Sequence, residues 1–386
     1  MNSMQAFSFR MGRVKKSQSG FALLTVLMVV AIVSILSAQM FSSQHSQIQR
    51  SGVMLHQAQA LSVQWGLEDW VMSGLKLDIE DNKTDHLQEL WAQPLPPVSF
   101  EEGTIGGLMI DAQSKLNLNN VLAEDATQKK LWQAILNRYW QLGGDHQAWS
   151  DNLAALMLQG VGTGLPEEEN EDANANTGVE TEAMGVTTMS ARMQAMEAWP
   201  GFSEVVTDWV DADNEPLPLG AESDQYQLQM PSFSAANQPL VTVAELYNFP
   251  TFSRLDWQSQ QVMSAGLTTL PKITPVNINT ATSIVLQSLA QWMSPELTSA
   301  WLQQRAQQPA ETVDEFMTFL QTQTGFSAQE VQKDLPAGFL SVSSEFFQLT
   351  SVLDYGRARN TLIHALFYRS ANEVQLVQRW IGFADE

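Results

Sequence analysis

Gly20-Phe21-Ala22-Leu23-Leu24-Thr25-Val26-Leu27-Met28-Val29-Val30-Ala31-Ile32-Val33-Ser34-Ile35-Leu36-Ser37-Ala38-Gln39-Met40 is the stretch that decides the fold. Arg10, Arg13, Lys15 and Lys16 precede it, and no charge follows until Arg50. Phe21 to Met40 is 20 residues, which at about 1.5 Å of rise each cross the roughly 30 Å hydrocarbon core of a bilayer. One membrane-spanning helix is the expectation. A removed secretory signal fits poorly, because the apolar run is long and Leu36-Ser37-Ala38 lacks a small residue at its first position.

Residues 1–67 hold five Lys or Arg and no acid, so all 42 acids and 15 bases lie beyond them. Basic residues ahead of the helix and an acidic bulk behind it predict a cytoplasmic N-terminus and a translocated body. A body carrying most of a net charge of -22 repels nucleic acid and anionic lipid. The chain has no cysteine, which excludes disulfides, thiolate metal sites and cysteine nucleophiles. At 386 residues and 44% hydrophobic composition it exceeds one ordinary domain and can bury a sizeable core.

Residues 41–75 are expected to continue as helix, with Ile48, Leu55, Ala58, Leu61, Trp65 and Trp70 on one apolar stripe. Pro94-Leu95-Pro96-Pro97 breaks it. Val98 to Asn120 reads as short strands with a turn at Gly106-Gly107. From residue 121 to about 335 the texture is helical, with stripes at Trp132, Ile135, Leu136, Tyr139 and Trp140, at Leu153, Leu156 and Met157, and at Val205, Val206, Trp209 and Val210. This much helix between strands predicts a separate inserted domain. Within it, residues 166–182 are acidic and polar enough to read as a solvated insertion, and glycines 160, 162 and 164 lack the Lys-Ser/Thr of a phosphate loop. Residues 241–290 form a helical module, opened by Thr242 and continued after Asn277-Ile278-Asn279-Thr280-Ala281, with Thr280 or Asn279 placed to cap the next helix. Its companion, 295–335, offers Phe316, Phe319, Leu320 and Phe326 to the core. Residues 339–352, 357–368 and 374–381 are three strand-like runs that would close an antiparallel sheet on the N-terminal helix.

The stretch Asp208 to Tyr226 carries six carboxylates, and no Lys or Arg stands between Arg192 and Arg254. Counted from Asp211, acids stand at positions 1, 3, 5 and 12, as in a calcium-binding hand, but position 6 is Pro216 where that loop needs glycine. A divalent cation would relieve the repulsion; a solvated acidic loop is the alternative. His45, His56, His86, His146 and His364 show no metalloprotease spacing, and no nucleophile elbow or P-loop occurs. The chain does not read as an enzyme.

Gly20-Phe21-Ala22-Leu23-Leu24 after a basic leader resembles the start of type IV pilin-like proteins, and of type II secretion pseudopilins in particular. Thr25 stands where most of that family carries glutamate, and the minor pseudopilin K family shares this departure. Asp208-Trp209-Val210-Asp211-Ala212-Asp213 with Gly220-Ala221-Glu222 and Tyr226, Asn277-Ile278-Asn279-Thr280-Ala281, and the terminal strands follow in that family's order. The resemblance implies an α+β pilin-like fold whose inserted all-α domain contains SAM-like, helix-hairpin-helix-like subdomains. It also implies cleavage by prepilin peptidase between Gly20 and Phe21 with N-methylation at Phe21, and calcium on Asp211, Asp213, Glu215, Glu222 and Asp224. The implied partners are minor pseudopilins I and J at the tip of a periplasmic pseudopilus, with the inner membrane holding the chain before assembly. A type IV pilus minor pilin and an anchored DNA-uptake protein are the other readings. The second needs a glycine hairpin and basic residues, whereas residues 241–290 hold only Arg254 and Lys272.

Overall fold

The computed structural model describes residues 19–100, 103–143, 201–253, 255, 257–356 and 358–383. Residues 1–18 of the leader, the Leu153, Leu156 and Met157 stripe, glycines 160, 162 and 164 and the acidic insertion 166–182 lie outside the described residues.

A single helix, α1, runs from Ser19 to Asp81. It is long and apolar enough to cross a membrane, and every residue from Leu23 to Ser51 is exposed. Its lower part lies on a five-stranded antiparallel sheet. β1 (Leu95–Phe100), β2 (Gly103–Asp111), β7 (Phe346–Tyr355), β8 (Ala358–Arg369) and β9 (Val374–Phe383) are ordered β1-β2-β7-β8-β9. Alternation along β7 and β8 sends Phe347, Leu349, Ala365 and Phe367 toward Val71 and Leu75 of α1, and Leu353 with Ile105 toward Ala60. Pro96 and Pro97 sit in the edge strand β1 where its register with β2 shifts between Leu95 and Val98, so neither is a paired position of the ladder.

Two expectations about this body are corrected. The face of α1 on the sheet is Ala60, Gln64, Leu67, Glu68, Val71 and Leu75, whereas Ile48, Leu55, Trp65 and Trp70 are exposed. Polar residues can occupy that face because the sheet supplies partners: Ser351 Oγ donates to Gln64 Oε1 at 2.6 Å, and Arg379 Nε to Glu68 Oε1 at 2.7 Å. Gly106 and Gly107 form no turn but pair with Val352 and Ser351 inside β2. A Cβ on Gly107 would come within 2.8 Å of Thr350 O.

The helical insertion joins β2 to β7 and repeats one plan twice. In the first unit β3 (Leu116–Asn117) pairs in parallel with β4 (Leu267–Thr268), and in the second β5 (Val276–Asn277) pairs with β6 (Leu340–Ser341). Each begins with Asn-x-Asn. The first asparagine turns its Oδ1 onto the N–H two residues on, Asn117 to Asn119 at 3.1 Å and Asn277 to Asn279 at 3.0 Å. The second grips a distant backbone: Asn119 accepts from Leu240 N and donates to Leu240 O, as Asn279 does with Ala310. Leu240 and Ala310 follow Gln238-Pro239 and Gln308-Pro309, and each precedes a Thr-x-x-Glu helix start, Thr242 with Glu245 and Thr312 with Glu315. Residues 241–290 therefore straddle two units. Neither Thr280 nor Asn279 caps the helix Ser283–Leu289, whose cap position is Thr282; Asn279 serves Ala310 and Thr280 serves Asp111. Helix α2 (Ala126–Leu142) buries Trp132, Ile135, Leu136, Tyr139 and Trp140 as expected. Its Arg138 bonds the carbonyls of Ser288 and Leu289, 2.7 Å each, tying the units together across one continuous core. Phe316, Phe319 and Leu320 are in that core, while Phe326 lies at the surface against Trp292.

A buried polar joint connects body and insertion. Asp111 at the end of β2 accepts from Asn277 Nδ2 (3.0 Å), Thr280 Oγ1 (2.5 Å), Ser344 Oγ (2.7 Å) and Gln113 N (2.7 Å). Arg369 at the end of β8 bridges Asp78 of α1 (2.6 Å) and Asp85 (2.6 Å) and donates to Ser344 O (2.8 Å). Burial pushes Asp111 up to about 6, and the neighbouring Asp85 adds to the rise.

Candidate functional site

The acidic stretch is built on the helix Phe202–Val210, whose Val205, Val206, Trp209 and Val210 are buried. Trp209 packs edge-on to Tyr226 and Phe249 and donates from Nε1 to Glu245 Oε2 at 3.0 Å. Asp208 is fully buried and accepts the Leu217 N–H. That bond folds the Pro-rich segment back over the helix end. Gly220 is required there, since a Cβ would stand 1.9 Å from Asp208 Oδ2.

The fold-back brings Asp211, Asp213 and Glu222 together, with one oxygen of each within 4.8 Å of the others. Asp211 Oδ1 and both carboxylate oxygens of Glu222 are buried without a hydrogen-bond partner, and Glu222 is only 3% exposed. Unpaired buried carboxylate oxygens carry a desolvation cost unless something neutralises them. Burial raises Asp211 and Glu222, with Asp213 adding to both, and burial pushes Asp208 up to about 7, with Glu222 and Asp211 contributing. Three hard oxygen donors so placed suit a divalent cation such as calcium. Glu215 and Asp224 do not join the group; the Glu215 N–H instead bonds Asp213 Oδ1 at 2.9 Å. Sequence reasoning missed Asp208 as the loop's anchor and Asn237 as its outside contact. The close Gly220 and the αL tolerance of asparagine were the available signals.

Two family models, both described as "Type II secretion system (T2SS), protein K", match residues 152–261 and 276–342. The first spans the acidic loop and the second runs from β5 to beyond β6. Type II secretion system protein K of Pseudomonas aeruginosa is 26% identical over 96% of this chain and 94% of its own length. That of Klebsiella pneumoniae is 26% identical over 96% and 99%. The chain belongs to the type II secretion system protein K family. Its role is that of a minor pseudopilin in type II secretion. A chain of the crystal structure of the GspK-GspI-GspJ complex from the enterotoxigenic Escherichia coli type 2 secretion system shares the fold, with TM-score 0.63 over 87% of this chain and 100% of that chain at 20% identity. The mixed architecture of long apolar helix and antiparallel sheet matches that structure.

Proposed function

We propose that this pseudopilin is cut by prepilin peptidase between Gly20 and Phe21, methylated at Phe21, and held in the inner membrane by α1 with its body in the periplasm. From there it joins minor pseudopilins I and J at the tip of the pseudopilus and supports export of folded proteins across the outer membrane. The observation that carries this is the exposed apolar surface of α1 from Leu23 to Leu55. Such a surface needs lipid before assembly and neighbouring helices after it. The insertion between β2 and β7 supports the end position, because so large a lateral domain obstructs stacking of a further subunit above it. Intact mass of the membrane-extracted protein, made with and without the peptidase, tests the reading. Loss of residues 1–20 and gain of one methyl are expected; an unchanged mass overturns it.

Calcium at Asp211, Asp213 and Glu222 is the second part of the reading. The ion supplies positive charge to a converged acidic group whose buried oxygens lack partners. Asp208 holds the loop closed and Trp209 roots it in the aromatic core. Glu215 and Asp224 stay at the rim. Calcium is expected to raise the melting temperature of the full-length chain over that in EGTA. Asp211→Asn with Glu222→Gln should abolish the difference.

A further inference from the structure

Three like charges converge on the loop that carries the acidic group. Its Asp211–Glu215 turn is braced from within by the Glu215 N–H to Asp213 Oδ1 bond at 2.9 Å, and Glu222 is held at its own end by Gln225, whose Oε1 accepts the Glu222 N–H at 3.2 Å. A further brace comes from outside. The chain leaves Tyr226, returns past Phe233, which stacks on Tyr226 at 5.3 Å, and is pinned where Ala235 N donates to Ser223 Oγ at 3.1 Å. It then reaches Asn237. This residue has φ +47°, a left-handed conformation that asparagine adopts more readily than most non-glycine residues.

Held this way, Asn237 touches both ends of the acidic turn. Its N–H donates to Trp209 O at 3.0 Å, at the C-terminal end of the helix. Its Nδ2 donates to Asp213 O at 3.0 Å and to Asn214 Oδ1 at 3.4 Å. Its Oδ1 is buried and has no partner. A left-handed residue that spans a helix end and a loop carbonyl fixes the distance between them.

We infer that Asn237 is the positioning residue of the acidic site, clamping the Asp211–Glu215 turn in the one conformation that brings Asp211, Asp213 and Glu222 together. This rests on the cation reading above. The return segment 227–237 is then a strap across the site, and cation binding and strap closure favour each other, because each stabilises the same turn.

The test uses the full-length chain in detergent and calcium alone as ligand, titrated calorimetrically. Asn237→Gly keeps the left-handed backbone and removes the amide; Asn237→Ala removes the amide and disfavours that backbone. Both should weaken calcium binding by about 10- to 100-fold, the usual effect of losing a residue that orients metal ligands. The glycine variant should keep its melting temperature in EGTA closer to wild type than the alanine variant does. A merely structural asparagine would lower stability and leave the dissociation constant alone, so wild-type affinity within twofold in Asn237→Gly overturns the inference. No calcium binding by the wild-type chain at millimolar concentration overturns the cation reading, and the inference with it. Hydrogen exchange in the wild-type chain gives a readout without variants. Calcium should slow exchange at the N–H groups of Asn237 and Glu215, and exchange unmoved by saturating calcium overturns the clamp whatever the variants do.

Discussion

Asp208 and Gly220 are the pair on which the acidic loop closes. A methyl at 220 would occupy the space of Asp208 Oδ2, so Gly220→Ala must turn the carboxylate away and release the Leu217 N–H. The expected cost is about 1–3 kcal/mol, the penalty for unpairing a buried polar group. Urea unfolding in EGTA measures it, and a variant as stable as wild type would show that the carboxylate is free to move. The acid spacing from Asp211 picks out four carboxylates, and Asp211, Asp213 and Glu222 of these converge. Glu215 from the spacing and Asp224 from the resemblance stay outside that group, because sequence position cannot tell a carboxylate folded inward from one left at the rim of a turn. Asp208 was in plain view but looked like one more acid. Its role depends on Leu217 returning to it, which Pro216 and Pro218 encourage without specifying.

Each helical unit hangs on its second Asn-x-Asn asparagine. Asn119→Ala strands the Leu240 N–H and the carbonyls of Leu240 and Leu270, and Asn279→Ala strands both backbone groups of Ala310. Each should cost about 2–4 kcal/mol, as several buried bonds are lost at once. The double variant should be additive within about 0.5 kcal/mol, since the sites share no partner. A double variant no worse than either single one would mean that the units do not fold as a common plan implies. At the joint, Arg369→Ala leaves Asp85 buried without its counter-charge and should cost about 3–5 kcal/mol in denaturant unfolding. Element types were largely legible: the apolar run of α1, the aromatic stripe of α2 and the three terminal strands all follow from local pattern. The buried face of α1 was not. Gln64 and Glu68 look like solvent residues until Ser351 and Arg379 arrive from strands far along the chain. The repetition of Gln-Pro-x-x-Thr-x-x-Glu at 238 and 308 is the readable sign of two like units, whose boundary falls inside 241–290 rather than after it.

For the whole molecule, acids held above their ordinary values set the pH response. Asp111 at about 6 and Asp208 and Glu89 at about 7 are all raised, chiefly by burial. Such groups favour the folded state at low pH, and their contribution is lost as pH rises through those values. His364, pushed down to about 4 by burial and by the nearby Lys115, and His86, lowered by burial, act oppositely. Their contribution is present above about 6.5 and fades only as pH falls below it. Between pH 6 and 8 the acids therefore dominate, and the unfolding free energy in EGTA should fall as pH rises. Glu89→Gln should flatten that slope, and calcium should flatten it further by removing the advantage of a protonated Asp208. A stability rising from pH 6 to 8 would contradict the burial of these acids. The insertion has a consequence of another kind. Asp111 on β2 is paired with Phe347 on β7, so during synthesis β2 must wait, one face apolar and one edge unmated, until the entire insertion and then the C-terminal hairpins have emerged. The sheet on which α1 rests is thus completed last, and a chain truncated before β7 keeps the β2 residues Ile105 and Met109 but loses Phe347, Leu349, Ala365 and Phe367 from beneath Val71 and Leu75, which makes a fully seated helix its own certificate that translation ran to the end.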